Sequence, residues 1–219
     1  MERFGFVGLP NAGKSSLYNA LAGGGALAAP YAFATTDPNE GVARVPDSRL
    51  SLLGEMSDSQ KIVSATIQFT DIGGLVEGAA KGEGLGNRFL AGIREVDAIV
   101  FVLRAFSDND VPGPTDPVEH LRIVEVELAL ADLETTQKQL LKIEKAAKSD
   151  KSIGQILESL KHASEQLDQG IPIYKSDLTS SERELLSDFF LLTDKPVLAV
   201  VNMGEDQVEE TNQILEPVV

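Results

Sequence analysis

The sequence predicts an α/β fold: a mostly parallel β-sheet flanked by helices and interrupted by a long helical hairpin. Short apolar runs, above all Ala98 to Leu103 (AIVFVL) and Pro196 to Val201 (PVLAVV), fit strands buried on both faces of a parallel sheet. A glycine-bearing turn, Gly8 to Ser15, joins the apolar run Phe4 to Val7 to a helical stretch that begins near Ser16. Leu121 to Lys148 contains neither Gly nor Pro and is rich in Leu, Glu, Ala and Lys.

The turn reads Gly8-Leu9-Pro10-Asn11-Ala12-Gly13-Lys14-Ser15, a glycine, four free positions, then glycine, lysine and a hydroxyl residue. Between strand and helix this pattern aims backbone N–H groups at one point and adds the positive end of the helix dipole. Lys14 supplies a mobile charge for β- and γ-phosphates, and the Ser15 hydroxyl is placed to ligate Mg²⁺. The expected ligand is a nucleoside triphosphate.

Taking the chain in order, Gly23-Gly24-Gly25 is a break, and residues 28–39 (AAPYAFATTDPN) form a loop carrying Thr35, Thr36 and Asp37. In a triphosphatase that loop would be the first switch, one threonine closing over metal and γ-phosphate. Gly41 to Val45 is expected as a strand, Pro46 to Arg49 as a turn and Leu50 to Met56 as a short helix. Ala65 to Thr70 gives a further strand ending in Asp71-Ile72-Gly73-Gly74, where a carboxylate is wanted for Mg²⁺ and Gly74 can offer its N–H to the γ-phosphate. Residues 73–86 contain six glycines, a conformationally loose segment that fits a second switch. Leu75 stands where Ras-like enzymes carry the glutamine that orients water, so either another group or a partner positions the water or hydrolysis is slow.

Asn87 to Val96 is helical by periodicity and is followed by the strand Ala98 to Leu103. From Phe106 to Pro117 the composition turns to Ser, Asp, Asn, Gly and Pro, which marks a boundary. Apolar stripes on Leu121 to Lys148 and at Ile156, Leu160, Ala163 and Leu167 predict an antiparallel helical hairpin. Ser180 or Ser181 is expected to cap a short helix reaching Leu192. The last core strand ends in Asn202-Met203-Gly204-Glu205, beside the phosphate loop, where such folds read the base. The division expected is a nucleotide-binding unit of residues 1–114 and 195–219, incomplete at its C-terminal side, with residues 115–194 as an inserted helical unit.

At 219 residues and 42% hydrophobic content the chain can bury a full core. It has no cysteine, which excludes disulfides and thiolate metal sites. No basic-then-apolar leader and no membrane-length apolar run is present, so a soluble cytoplasmic protein is expected. A net charge of −15 argues against a broad grip on nucleic acid. Residues 115–194 hold 16 acidic and 9 basic side chains, so an RNA partner would need a local basic patch or another domain.

The order of phosphate loop, switch threonine, Asp71 to Gly74 and Asn202 to Glu205 looks like a translation-factor-type P-loop GTPase. More narrowly, the stretches GFVGLPNAGKSSLYNAL, DPNEGVARVPDSRL and DIGGLVEGAAKGEGLGNRFLAGIREVDAIVFVLRAF resemble the Obg-related YchF/Obg-like ATPase family. The resemblance implies that Asn11, Ala12, Gly13, Lys14, Ser15 and Ser16 wrap the phosphates. It also implies that Ser15 and Thr35 ligate Mg²⁺ with Asp71 in support, that Lys14, Thr35 and Gly74 serve catalysis, and that Asn202, Met203 and Glu205 meet the base. Guanine readers of this fold use Asn-Lys-x-Asp. Here Met203 replaces the lysine and Glu205 is one methylene longer than Asp, which misaligns the guanine clamp; adenine preference is what the resemblance implies. Ala32 and Ala34 depart from the family's first-switch segment, which has proline and often cysteine there. The resemblance further implies ATP or GTP hydrolysis and a ribosomal partner, and Asn11 suggests activation by K⁺. Family members continue into the rest of the nucleotide domain and a small β-rich domain, so the chain is expected to be an N-terminal fragment.

Overall fold

The computed structural model describes residues 1–23, 40–72, 85–108, 113–147 and 153–218. Five strands form one sheet in the order β2-β3-β1-β4-β5: β1 (Glu2–Val7), β2 (Glu40–Arg44), β3 (Thr66–Asp71), β4 (Ala98–Arg104) and β5 (Val197–Asn202). All neighbours run parallel except β2, which pairs antiparallel with β3. The expected mostly parallel sheet is present, with the helices α1 (Lys14–Gly23), α2 (Arg49–Met56), α3 (Leu85–Glu95), α4 (Pro117–Ala147), α5 (Gly154–Asp168), α6 (Ser180–Leu185) and α7 (Thr211–Leu215) around and beyond it.

Alternation along β4 explains why AIVFVL is apolar throughout. Ile99, Phe101 and Leu103 face a core shared with Ile93 of α3 and with Leu121, Val124, Leu128 and Ala131 of α4. Val100 and Val102 face the opposite core with Phe6, Phe69 and Leu17 of α1. The first half of α4 therefore covers the sheet. Its second half, through Leu133, Leu140 and Ile143, packs instead on Leu160, Ala163 and Leu167 of α5.

Helix α4 starts at Pro117, four residues before the expected Leu121. Proline suits the first helical position because its missing N–H is unpaired there anyway, and the Asp116 side chain accepts from Val118 N at 2.9 Å. Helix α6 is capped by Thr179, not Ser180 or Ser181, in a reciprocal box with Glu182, and it ends at Leu185 instead of reaching Leu192. Two 3-10 turns, Ser187–Phe189 and Leu192–Asp194, complete that stretch.

Between α5 and α6 lies a clamp with a defined pH response. His162 bonds Glu182 through Nδ1 and Asp177 through Nε2, both at 2.9 Å. The Glu182 partnership holds the imidazole above its ordinary range, and the same contact, with Thr179 behind it, holds Glu182 down at about 2. A raised histidine stabilises fully below its unfolded value of 6.5 and loses that contribution as pH rises through the folded value. A depressed carboxylate stabilises above its unfolded 4.5 and loses its contribution as pH falls towards about 2. The clamp is thus complete from about pH 4.5 to 6.5. The thermal midpoint is expected to fall from pH 6 to pH 9, and His162→Gln to flatten that slope; an unchanged slope would show that the clamp does not titrate.

Candidate functional site

The phosphate loop takes the shape its residue types predict. Asn11 has φ 64° and Gly13 φ 98°, so the chain curls through left-handed conformations. A Cβ on Gly13 would lie 2.3 Å from Asn202 Nδ2, and one on Gly8 would lie 2.3 Å from the Val102 carbonyl oxygen. Both glycines are required by close approach. Ala12 is fully buried, while Asn11, Ser15 and Ser16 are exposed at the loop mouth.

Lys14, at the first position of α1, is buried, and its Nζ donates to the Leu9 carbonyl at 3.0 Å. Burial pushes its ammonium below the ordinary lysine range, with the Asp71 carboxylate pulling the other way. The Ser15 hydroxyl donates to Asp71 Oδ2 at 2.8 Å across 56 residues of sequence, which brings together two of the three predicted metal residues. Among the described residues Asp71 Oδ1 is buried without a hydrogen-bond partner. An unpaired buried carboxylate oxygen beside a hydroxyl is an oxygen-only donor set that suits a hard cation, so these residues fit Mg²⁺.

At the end expected to read the base, Asn202 Nδ2 donates to the Ala12 carbonyl at 3.1 Å, tying the end of β5 to the phosphate loop. The Asn202 carbonyl accepts from Ala105 N at 2.8 Å and Phe106 N at 3.2 Å. Met203 is partly buried and Glu205 exposed at the start of a 3-10 turn, Glu205–Glu210. Sequence reasoning missed Gln207, whose Oε1 accepts from Gly204 N at 2.8 Å and whose Nε2 donates to the Ala105 carbonyl at 3.0 Å. The signal for it was present as a glutamine three residues after a helix-entry glycine. It also missed Arg104, 1% exposed, whose Nε donates to the Phe106 carbonyl at 3.0 Å and whose guanidinium stacks 4.5 Å from the Phe106 ring. Thr35, Gly74 and Leu75, with Ala32 and Ala34, lie outside the described residues.

A strand, a left-handed glycine turn with an enclosed lysine, and a hydroxyl bonded to the aspartate of the neighbouring strand define the P-loop nucleotide-binding class of α/β domains. The chain belongs to the 50S ribosome-binding GTPase family, which matches residues 3–203. The resemblance to YchF/Obg-like ATPases read from the motifs holds. The chain is 45% identical over 210 residues to the ribosome-binding ATPase YchF of Bacillus subtilis, covering 94% of this chain and 57% of that protein. It is 43% identical over 209 residues to the ribosome-binding ATPase YchF of Haemophilus ducreyi, covering 94% and 58%. The solved YchF GTPase of Schizosaccharomyces pombe superposes with a TM-score of 0.80 at 33% identity, over 98% of this chain and 62% of that one. The chain therefore spans less than two thirds of each of these relatives.

Proposed function

We propose that the chain is the nucleotide-binding part of a ribosome-associated switch that binds ATP, or GTP, with Mg²⁺ and cleaves the β–γ phosphoanhydride with water. The observation that supports this most is the loop itself: left-handed Asn11 and Gly13, enclosed Lys14, and Ser15 on Asp71. In this reading Asn11, Ala12, Gly13, Lys14, Ser15 and Ser16 hold the phosphates. Ser15, Thr35 and Asp71 would hold the metal, which would supply positive charge to offset that of the phosphates. Lys14 stabilises the developing charge, Thr35 and the Gly74 N–H address the γ-phosphate, and Asn202, Met203 and Glu205 frame the base. The work is positioning and electrostatics without a covalent intermediate.

Residues 1–114 and 195–219 form the nucleotide unit in this proposal, and 115–194 the helical insertion, rooted on the sheet by the first half of α4. The ribosome enters through the names of the Bacillus and Haemophilus relatives. Among the described residues no helix is long and apolar enough to cross a membrane; the cytoplasmic placement in this proposal follows from the ribosomal partner.

Leu75 favours a second reading of the same site, a nucleotide-gated docking module whose turnover is far below about one per second because a leucine cannot orient water. A single titration separates the outcomes. Unlabelled ATP and GTP compete for a fluorescent analogue with Mg²⁺, in potassium and in sodium, with hydrolysis followed in parallel. ATP is expected to compete at least as well as GTP, with faster turnover in potassium if Asn11 helps place the monovalent ion. No competition by either nucleotide would overturn the proposal.

A further inference from the structure

Strand pairing between β4 and β5 runs from Ile99 opposite Val197 to Arg104 opposite Asn202 and stops there. One residue further, Ala105 N and Phe106 N share the Asn202 carbonyl at 2.8 and 3.2 Å. Beyond that point the side-chain amide of Gln207 bridges the two chains. Its Nε2 donates to the Ala105 carbonyl at 3.0 Å and its Oε1 accepts from Gly204 N at 2.8 Å, while Gln207 N donates to the Gly204 carbonyl at 3.0 Å. A primary amide carries the donor and acceptor of a peptide group, so it supplies the next rung of a ladder that the backbone no longer makes.

Burial shows that Gln207 is turned inward for these bonds. Of the six residues in the turn Glu205–Glu210 it alone is not exposed. Its neighbour Val208 is 64% exposed. An amide facing in beside a valine facing out reverses what solvation favours, and the polar contacts offset that cost. The stretch Asn202-Met203-Gly204-Glu205 is thereby anchored at two points. Asn202 is held on Ala12 by its side chain and on Ala105 by its carbonyl. Gly204 is held on the same Ala105 through Gln207. Met203 lies between the two anchored residues, and Glu205 directly follows the second.

We propose that Gln207 is a positioning residue that sets the nucleoside share of ligand affinity: by stapling Gly204 to the end of β4, it holds Met203 and Glu205 in the geometry that meets the base. The inference rests on the reading above in which Asn202 to Glu205 frame the base. Gln207 itself need not touch the ligand. Apparent affinity falls with the fraction of time a loop spends in its competent shape, and two ordinary hydrogen bonds keep that fraction near one. The phosphate contacts are set separately, by left-handed Asn11 and Gly13 and by the bond from Lys14 to Leu9. Loss of the staple leaves those contacts, and the bond from Asn202 to Ala12, in place.

The test is titration calorimetry of the whole chain with ATP, GTP and inorganic tripolyphosphate, each with Mg²⁺. Gln207→Met, close in size but without either bond, is expected to bind ATP and GTP at least about tenfold more weakly and tripolyphosphate within about twofold of wild type. KM for hydrolysis should rise with the dissociation constant while kcat stays within about threefold, because the loop addresses the base and not the β–γ bond. Val208→Ala, on the same turn, should change none of the three affinities by more than about twofold. Should Gln207→Met fail to fold by circular dichroism, Gln207→Glu, which turns the donor to Ala105 into a charge facing its carbonyl, carries the same comparison. A wild type that binds ATP no more tightly than tripolyphosphate, an unchanged ATP affinity in the variant, or an equal loss for tripolyphosphate would each overturn the assignment. The two proposals fail distinguishably: a wild type that binds neither ATP nor tripolyphosphate defeats the phosphate site and the staple with it, whereas wild-type binding of both with an unaltered variant defeats the staple alone.

Discussion

Lys14→Ala is expected to reduce nucleotide hydrolysis by at least about a hundredfold while leaving the nucleotide-free chain as stable as before, or more so. The two halves of that expectation have one cause. Without a polyphosphate, the Lys14 ammonium is enclosed at 7% exposure, donates to the Leu9 carbonyl at 3.0 Å and is pushed towards its neutral form by burial. Holding a charge there costs free energy that folding must supply. In the proposed complex a triphosphate would supply the compensating anion, offsetting the cost and placing the charge where negative charge develops. Hydrolysis rates and a thermal melt without nucleotide measure both. Full turnover in the variant would reject the site, and a lower apo midpoint would reject the account of Lys14 as a strained group.

Asp132→Ala is expected to be the most damaging substitution away from the nucleotide. Asp132 is 1% exposed on α4 and accepts from Leu192 N at 2.9 Å, Thr193 N at 2.7 Å and Thr193 Oγ1 at 2.8 Å. Thr193 Oγ1 in turn accepts from Ile173 N at 3.1 Å. One carboxylate thus closes two turns onto α4, and its removal leaves buried N–H groups without partners. The loss should be about 3 kcal/mol, or roughly 6–12 °C in the midpoint of a chain this size. Nucleotide affinity should change little, because the network lies on the α4–α5 side. A drop below about 1 kcal/mol would mean that water replaces the carboxylate.

These two residues mark what could and could not be seen in the chain itself. Lys14 was legible because the phosphate loop is local: its glycines, lysine and hydroxyl meet within eight residues, and short range makes spacing informative. The core strands were legible for a related reason, since burial on both faces turns Ala98 to Leu103 apolar at every position. Asp132 was not, because an acid inside a Leu-rich helical stretch looks like any solvated position until partners 60 residues away close over it. The His162 clamp was hidden in the same way, its carboxylates lying 15 and 20 residues downstream. At α6 the caps expected, Ser180 or Ser181, directly follow the one used, Thr179. Thr179 prevails because Glu182, which it needs for the reciprocal box, is also held by His162. At α4, Pro117 falls by composition in the boundary segment, whereas at the first helical position it starts the helix.

Helix α4 is one unbroken rod of 31 residues whose base is clasped by the sheet and whose far half packs on α5. At about 1.5 Å per residue it is roughly 46 Å long, so a tilt of roughly ten degrees at its base would sweep the far end through roughly 8 Å. Any change of angle where this helix meets the sheet is therefore magnified at its far end.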